Sequence, residues 1–336
     1  MIKLRSWEYW PFGIPPGTRI HLLVAPRPER TIHLFFLSIQ SGYSSGGMMG
    51  ESKSAVLDLI PKEVKPKTFL VKLPATVKSV VDQMTSNDLS FPIIFKPDLG
   101  ERGWMVRKIN NESDVQQYLN EIRIDFVMQE LVDLPLEFGV FYVRYPDRPH
   151  GNVTSITMKQ FLSVTGNGRS TLRDLILSVD RAKLQWDVLK EKYKNELDLV
   201  PGKGELIELV SIGNHCLGTT FLNANHLITP KLNASFDSIS KKVNGFYFGR
   251  FDLRCASFED LEAGNVKIVE LNGCGAEPAH IYHPGSSFWR GMATLFAHVH
   301  SMYRVSAINH SKGVPYLSFK EGRAIYKNFK ALKSAS

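Results

Sequence analysis

Cysteine is scarce: three residues in 336, Cys216, Cys255 and Cys274. They form no C-x-x-C pair, the spacing expected of a zinc ribbon or a thioredoxin-like redox site. Such sparse usage excludes a disulfide framework and fits a reducing compartment. No run of about 18 apolar residues occurs, so no membrane-spanning helix is expected. The first residues also lack the basic-then-apolar pattern of a secretory leader, which makes the cytoplasm the expected location. The G-x-S-x-G elbow of Ser-His-Asp hydrolases is missing, as are internal repeats and low-complexity tracts. Basic residues exceed acidic ones by 41 to 33, a net charge of +8 that favours anionic partners. They are spread along the chain rather than massed in one tract, so no nucleic-acid partner is expected.

What remains is an ordinary globular composition, 43% hydrophobic and 22% charged, enough for one large or two to three smaller domains. The richest stretch runs from Phe246 to Gly275. FYFGRFDLR is aromatic and alternating, and VKIVELN is a short apolar run with a polar end, so both read as strands. Asp252 stands near the end of the first. Glu270 and Asn272 end the second and, at spacing i, i+2, share one face of a sheet. Two carboxylates and an amide oxygen on one face suit Mg²⁺ (or Mn²⁺), a hard cation that takes oxygen ligands. His280 and His283 near Cys274 lack the paired spacing of a zinc site.

Earlier in the chain, SWEYWPFGIPPG resists helix through its prolines. Its Trp7, Tyr9 and Trp10 suit packing on the body more than a membrane surface. TIHLFFLSIQ reads as a strand, SKSAVLDLIPKE as a helix ended by Pro61, PKTFLVK as a strand and ATVKSVVDQM as a helix. The strand FPIIFK delivers Lys96 into a turn with Gly100 and Gly103, followed by the strand WMVRKI. A glycine turn can lay backbone N–H groups against phosphates, with the lysine supplying charge. ESDVQQYLNEI is an amphipathic helix. Glu130 and Glu137 bracket a break at Pro135 between two strands, where backbone groups could meet an adenine edge and a carboxylate could meet ribose. TGNGRSTLRDLILSVDRAKLQWDVL reads as a glycine turn running into one long helix capped at Ser170 or Thr171, with Arg169 near its anion-favouring start. A core helix is expected from about Ser286, and a basic helix in the tail.

Taken in order, these blocks resemble the ATP-grasp superfamily, in particular its carboxylate–amine ligases of the cyanophycin-synthetase and D-alanine–D-alanine ligase type, from about Lys53 to Pro284. The blocks that carry the resemblance are GESKSAVLDLIPKEVKPKTFLV, FPIIFKPDLGERGWMV, MQELVDLPLEFGVFYV, MKQFLSVTGNGRSTLRDLI and FGRFDLR…VKIVELNG. The resemblance implies an α+β fold of two subdomains with a nucleotide held between antiparallel sheets. It divides the chain into a shortened N-terminal region (1–75), a small subdomain (76–140), a large subdomain (141–290) and C-terminal helices (291–336). It implies that Lys53 and Lys96 contact ATP phosphates under a loop of Gly100, Glu101, Arg102 and Gly103. Glu130 and Leu131 would meet adenine, and Glu137 the ribose. Lys159 would lie near the γ-phosphate, Asp252, Glu270 and Asn272 would hold Mg²⁺, and Arg169 and Arg254 would face the carboxylate or phosphoryl group. The implied activity is ATP-dependent joining of a small-molecule carboxylate to an amine or thiol through an acylphosphate. The second expectation is an ATP-binding regulatory or scaffold protein of the same fold without ligase activity.

Overall fold

The computed structural model describes residues 33–34, 47, 51–100, 103–210, 213, 218–318, 320–325 and 327. The aromatic segment with Trp7, Tyr9 and Trp10, and the loop residues Glu101 and Arg102, lie outside them. The architecture is α+β, built on two antiparallel sheets. A two-residue strand, β1 (His33–Leu34), precedes the first helix, α1 (Lys53–Asp58), whose start is capped by the Ser52 hydroxyl.

The smaller sheet follows. It comprises β2 (Thr68–Val71), β3 (Ile93–Pro97), β4 (Arg107–Ile109) and β5 (Phe126–Glu130), in the order β2-β5-β3-β4. Two helices connect its strands, α2 (Val77–Ser86) and α3 (Glu112–Glu121). Thr76 and Ser79 close a reciprocal capping box on α2, and the Asn111 side chain caps α3. Each cap satisfies a backbone N–H that would otherwise lack a partner, for about 1 kcal/mol. Phe95, Tyr118 and Phe126 fill the core between sheet and helices, with ring centroids 5.0–5.3 Å apart. Truncating Phe126 to alanine would cost about 3–5 kcal/mol.

The larger sheet uses β6 (Leu136–Val143), β7 (Asn152–Gln160), β10 (Thr220–Asn223), β11 (Phe248–Cys255) and β12 (Lys267–Asn272), in the order β10-β7-β6-β11-β12. A side excursion separates β7 from β10. It holds the paired strands β8 (Ser163–Thr165) and β9 (Leu206–Glu208) and three short helices, α4 (Leu172–Ser178), α5 (Asp180–Lys183) and α6 (Trp186–Lys192). The single long helix expected from TLRDLILSVDRAKLQWDVL is therefore corrected. Val179 is extended (φ −98°, ψ 119°), and the chain turns again at Gln185. The breaks let Leu172, Ile176, Ala182 and Leu189 converge on one small core with Val164 and Leu209. A straight rod would have spread those residues along its length.

One face of the large sheet is apolar. Phe138, Val140, Phe251, Leu253, Ile268 and Leu271 pack there with Leu232 and Phe236 of α7 (Pro230–Lys242) and Leu261 of α8 (Phe258–Ala263). The opposite face is divided. One end, with Phe141, Val143 and Phe248, is covered by Met302 and Val305 of α9 (Phe288–Ser311). The other end is polar and faces the smaller sheet. Beyond α9, β13 (Leu317–Ser318) pairs with β1. Among the described residues no helix is long and apolar enough to cross a membrane.

Candidate functional site

Strand register assembles the polar end. Asp252 on β11 stands opposite Glu270 on β12 and Gly139 on β6, Arg250 stands opposite Asn272, and Glu137 on β6 stands opposite Arg254 on β11 and Lys159 on β7. A register shift between Asp252 and Leu253 marks an irregularity in the β11–β12 ladder. It lets Ile268 and Leu271, three residues apart, both enter the apolar core, which strict alternation forbids.

Four ion pairs lock this row. Lys159 Nζ donates to Glu137 Oε1 at 2.9 Å and lies 3.6 Å from Asp252 Oδ1. Arg254 Nε donates to the other Glu137 oxygen at 2.9 Å, and its Nη1 donates to the Val132 carbonyl at 3.1 Å. Arg250 grips Asp252 with both Nε (2.9 Å) and Nη2 (3.1 Å), and its Nη1 donates to the Glu277 carbonyl at 3.2 Å. Burial alone would raise the Asp252 pKa, but Arg250 and Lys159 outweigh it and hold the carboxyl below its ordinary value. For Lys159, burial is likewise outweighed, here by Asp252 and Glu137, and its pKa is raised. Gly139 makes the close packing possible. A Cβ there would stand 3.0 Å from Arg250 Cδ and 3.2 Å from Asp252 Oδ1.

The smaller sheet contributes Lys96, near the end of β3. Its Nζ donates to Gln129 Oε1 at 3.0 Å and, across the seam, to the Val269 carbonyl at 2.9 Å. Desolvation lowers its pKa to about 8, against the opposing pull of Glu270, with the nearby Lys53 charge lowering it further. Lys53 opens α1, and its Nζ donates to the Gly100 carbonyl at 2.6 Å. Asp98 holds the same turn, accepting the Lys53 N–H on its backbone oxygen and the Ser54 N–H on its carboxylate.

Glu270 differs from its neighbours. It is half-buried and, among the described residues, makes no hydrogen bond or ion pair, although its charge acts on Lys96 and Arg250. Asn272 Nδ2 donates to Asp252 Oδ2 at 3.1 Å, which commits the amide nitrogen and leaves the amide oxygen as a donor atom for a cation. Thr157, on the same face of β7 as Lys159, is buried and, among the described residues, has no partner for its Oγ1. Among the described residues no group of three His, Cys, Asp or Glu is arranged to hold a metal. The oxygens whose chemistry suits a hard divalent cation are the Glu270 carboxylate, without a bonded partner among the described residues, and the Asn272 amide oxygen, with the Asp252 carboxylate beside them in the grip of Arg250.

The remaining expected residues fall around this cluster. Glu130 is exposed at the end of β5, where its carboxylate accepts the Lys67 N–H at 3.0 Å, and Leu131 follows it half-buried. Gly100 and Gly103 lie in the connection between β3 and β4. Arg169 lies apart in the exposed turn before α4, where its N–H donates to Asn167 Oδ1 and, among the described residues, its guanidinium makes no ion pair. Arg250 and Gln129 were not singled out from the sequence. Arg250 stands two residues before Asp252 on an alternating strand, and Gln129 is the polar interruption of the apolar run FVMQE; both signals were present.

No family model matches the sequence, and no curated protein matches it. Among solved structures, the chain is similar to a D-alanine–D-alanine ligase from Bacillus anthracis, with 11% identity over 79% of this chain and 73% of that one and a TM-score of 0.44. It is similar to the VanG D-Ala:D-Ser ligase from Enterococcus faecalis, with 13% identity over 78% and 63% and a TM-score of 0.43. A bifunctional glutathione synthetase from Pasteurella multocida matches at 14% identity over 76% and 38%, with a TM-score of 0.37. The chain thus spans less than two thirds of the length of the last two.

Proposed function

We propose that this protein is an ATP- and Mg²⁺-dependent ligase that joins a carboxylate to an amine or thiol. The observation that carries the reading is Glu270, a half-buried carboxylate without a partner among the described residues, at the seam where Lys96 crosses from one sheet to the other. A carboxylate near cations but, among the described residues, bonded to none of them fits a site completed by a metal-bound polyanion. Lys53 and Lys96 would bind the phosphates, and the Gly100–Gly103 turn would lie over them. Mg²⁺, when bound, supplies charge neutralisation to phosphoryl transfer. Lys159, its side chain nearly buried, and the half-buried Arg250 would meet negative charge on the group being transferred. Such transfer needs positioning and cations rather than a protein nucleophile, and the nearby Cys274 is buried with its thiol pKa pushed up, which disfavours a thiolate there.

Glu137 has both oxygens committed to Lys159 and Arg254, so within this reading it serves more readily as the post that orients those two cations than as a ribose ligand. The second reading, a nucleotide-binding regulator without turnover, draws support from the two-point Arg250 grip on Asp252. ADP release across a panel of acids and amines separates the two. Mg²⁺-dependent release that needs both an acid and an amine or thiol supports the ligase, whereas tight nucleotide binding with no release supports the regulator.

A further inference from the structure

A cleft of about 710 Å³ opens beside the site, between the end of β10, the short turn Ala279–Tyr282, residues 283–287 and the start of α9. Its polar lining includes Arg290, His280, His283, Ser286, Ser287 and Asn223, and among the described residues no Asp or Glu lines it. Arg290 is exposed and, among the described residues, makes no ion pair. The Asn223 N–H donates to His283 Nδ1 at 3.2 Å, so in the neutral ring the proton sits on Nε2, available as a donor. His280 Nδ1 lies 2.6 Å from Ser155 Oγ, which fixes that ring against β7.

Through His280 and Ser155 the cleft is tied to β7, the strand that also carries Lys159 of the polar row. Ser155 lies opposite Phe141 on β6, and Thr157, two residues on, lies opposite Gly139, which itself faces Asp252. Two strand spacings across and two residues along place Ser155 about 12 Å from Asp252 between Cα atoms. The buried Thr157 hydroxyl, without a partner among the described residues, lies along that path. A cavity with several donors, one arginine and, among the described residues, no carboxylate disfavours an ammonium group and suits an oxyanion.

We propose that this cleft receives an anionic group, carboxylate or phosphate, of one of the molecules to be joined, with Arg290 as its charge partner and His283 Nε2–H as a donor. The placement in a ligation rests on the ligase reading; capture of an oxyanion does not. The test uses full-length protein with isotope-labelled histidine rings, titrated with glutarate or inorganic phosphate against chloride at matched ionic strength. Saturable shifts of the His280 and His283 signals are expected with one of the two oxyanions. Preference for glutarate assigns a carboxylate, and preference for phosphate assigns a phosphorylated group. Arg290→Ala should weaken that binding at least about tenfold, with partial recovery in Arg290→Lys, while binding of a non-hydrolysable ATP analogue stays unchanged. No saturable shift with either anion, or an undiminished response in Arg290→Ala, overturns the inference. Loss of analogue binding in the wild-type protein alongside retained oxyanion capture would instead count against the ligase reading and leave the cleft assignment standing.

Discussion

Lys96 Nζ lies 2.9 Å from the Val269 carbonyl, so a side chain rooted in the smaller sheet ends on the edge strand of the larger one. The same ammonium is shared with Gln129, which also donates to Thr68 Oγ1 at 3.1 Å. The seam between the sheets is therefore held by a buried cation, and the carboxylate beside it, Glu270, has no hydrogen-bonded partner of its own among the described residues.

The depressed Lys96 pKa makes a signed prediction. With a folded value of about 8 against the ordinary 10.5, the unfolded chain binds more protons than the folded one between those values. This lysine therefore contributes a rise in stability as pH increases from 8 towards 10.5, worth on the order of 3 kcal/mol at most. Lys96→Met should abolish that part of the slope in urea unfolding. Phosphate binding would favour the charged form, so nucleotide binding at pH 8.5 should take up protons, read as a dependence of calorimetric heat on buffer ionisation enthalpy.

The two carboxylates should fail differently. Glu270→Gln removes no hydrogen bond seen among the described residues and should leave the thermal midpoint almost unchanged while Mg²⁺-dependent nucleotide binding is lost. Asp252→Asn breaks a buried pair with Arg250 and Lys159 and should cost about 3–5 kcal/mol of stability as well. ATP turnover should fall by on the order of 10²–10³ in each. Full turnover in both variants would contradict the assignment.

Gly139→Ala probes the space above Asp252. Its Cβ would crowd the Arg250 side chain at 3.0 Å, so the Arg250–Asp252 grip should be displaced with the fold retained. The expected result is altered nucleotide affinity with a shift in unfolding of about 1–3 kcal/mol.

The Asp237 clasp sits away from the site. It accepts from Tyr142 Oη at 2.6 Å and the Gly151 N–H at 2.9 Å, and pairs with Lys241 at 2.7 Å and His150 at 2.9 Å. Burial opposes the charge, but the bonds from Lys241, Tyr142 and Gly151 win and its pKa is lowered. Its contribution is present above the ordinary carboxylate range and is lost as pH falls through the depressed value. Asp237→Asn should cost about 2 kcal/mol at pH 7 and leave nucleotide binding intact.

Much of the polar face was legible because alternation is a local property. Placing Glu270 and Asn272 on one face needs only period two, and both side chains lie on the face that carries Asp252. The same periodicity, with the breaks at Gly and Pro, gave several of the individual strands, whereas their assembly into two antiparallel sheets was implied by the family resemblance. What escaped was set by partners distant in sequence. Glu137 was expected to meet a ribose, yet Lys159 and Arg254, 22 and 117 residues away, occupy both of its oxygens. The long helix broke because Val179 turns to serve a small core, and local helix preference says nothing about where Leu209 lies. The cleft beside α9 joins Asn223 to His283 and Ser155 to His280, and neither pairing has a periodic signature.

The most direct measurement is calorimetric titration of the full-length protein with a non-hydrolysable ATP analogue, with and without Mg²⁺. The account predicts stoichiometric binding strengthened by Mg²⁺, with the Mg²⁺ dependence removed by Glu270→Gln. Absence of binding, or binding indifferent to both Mg²⁺ and Glu270, would contradict it.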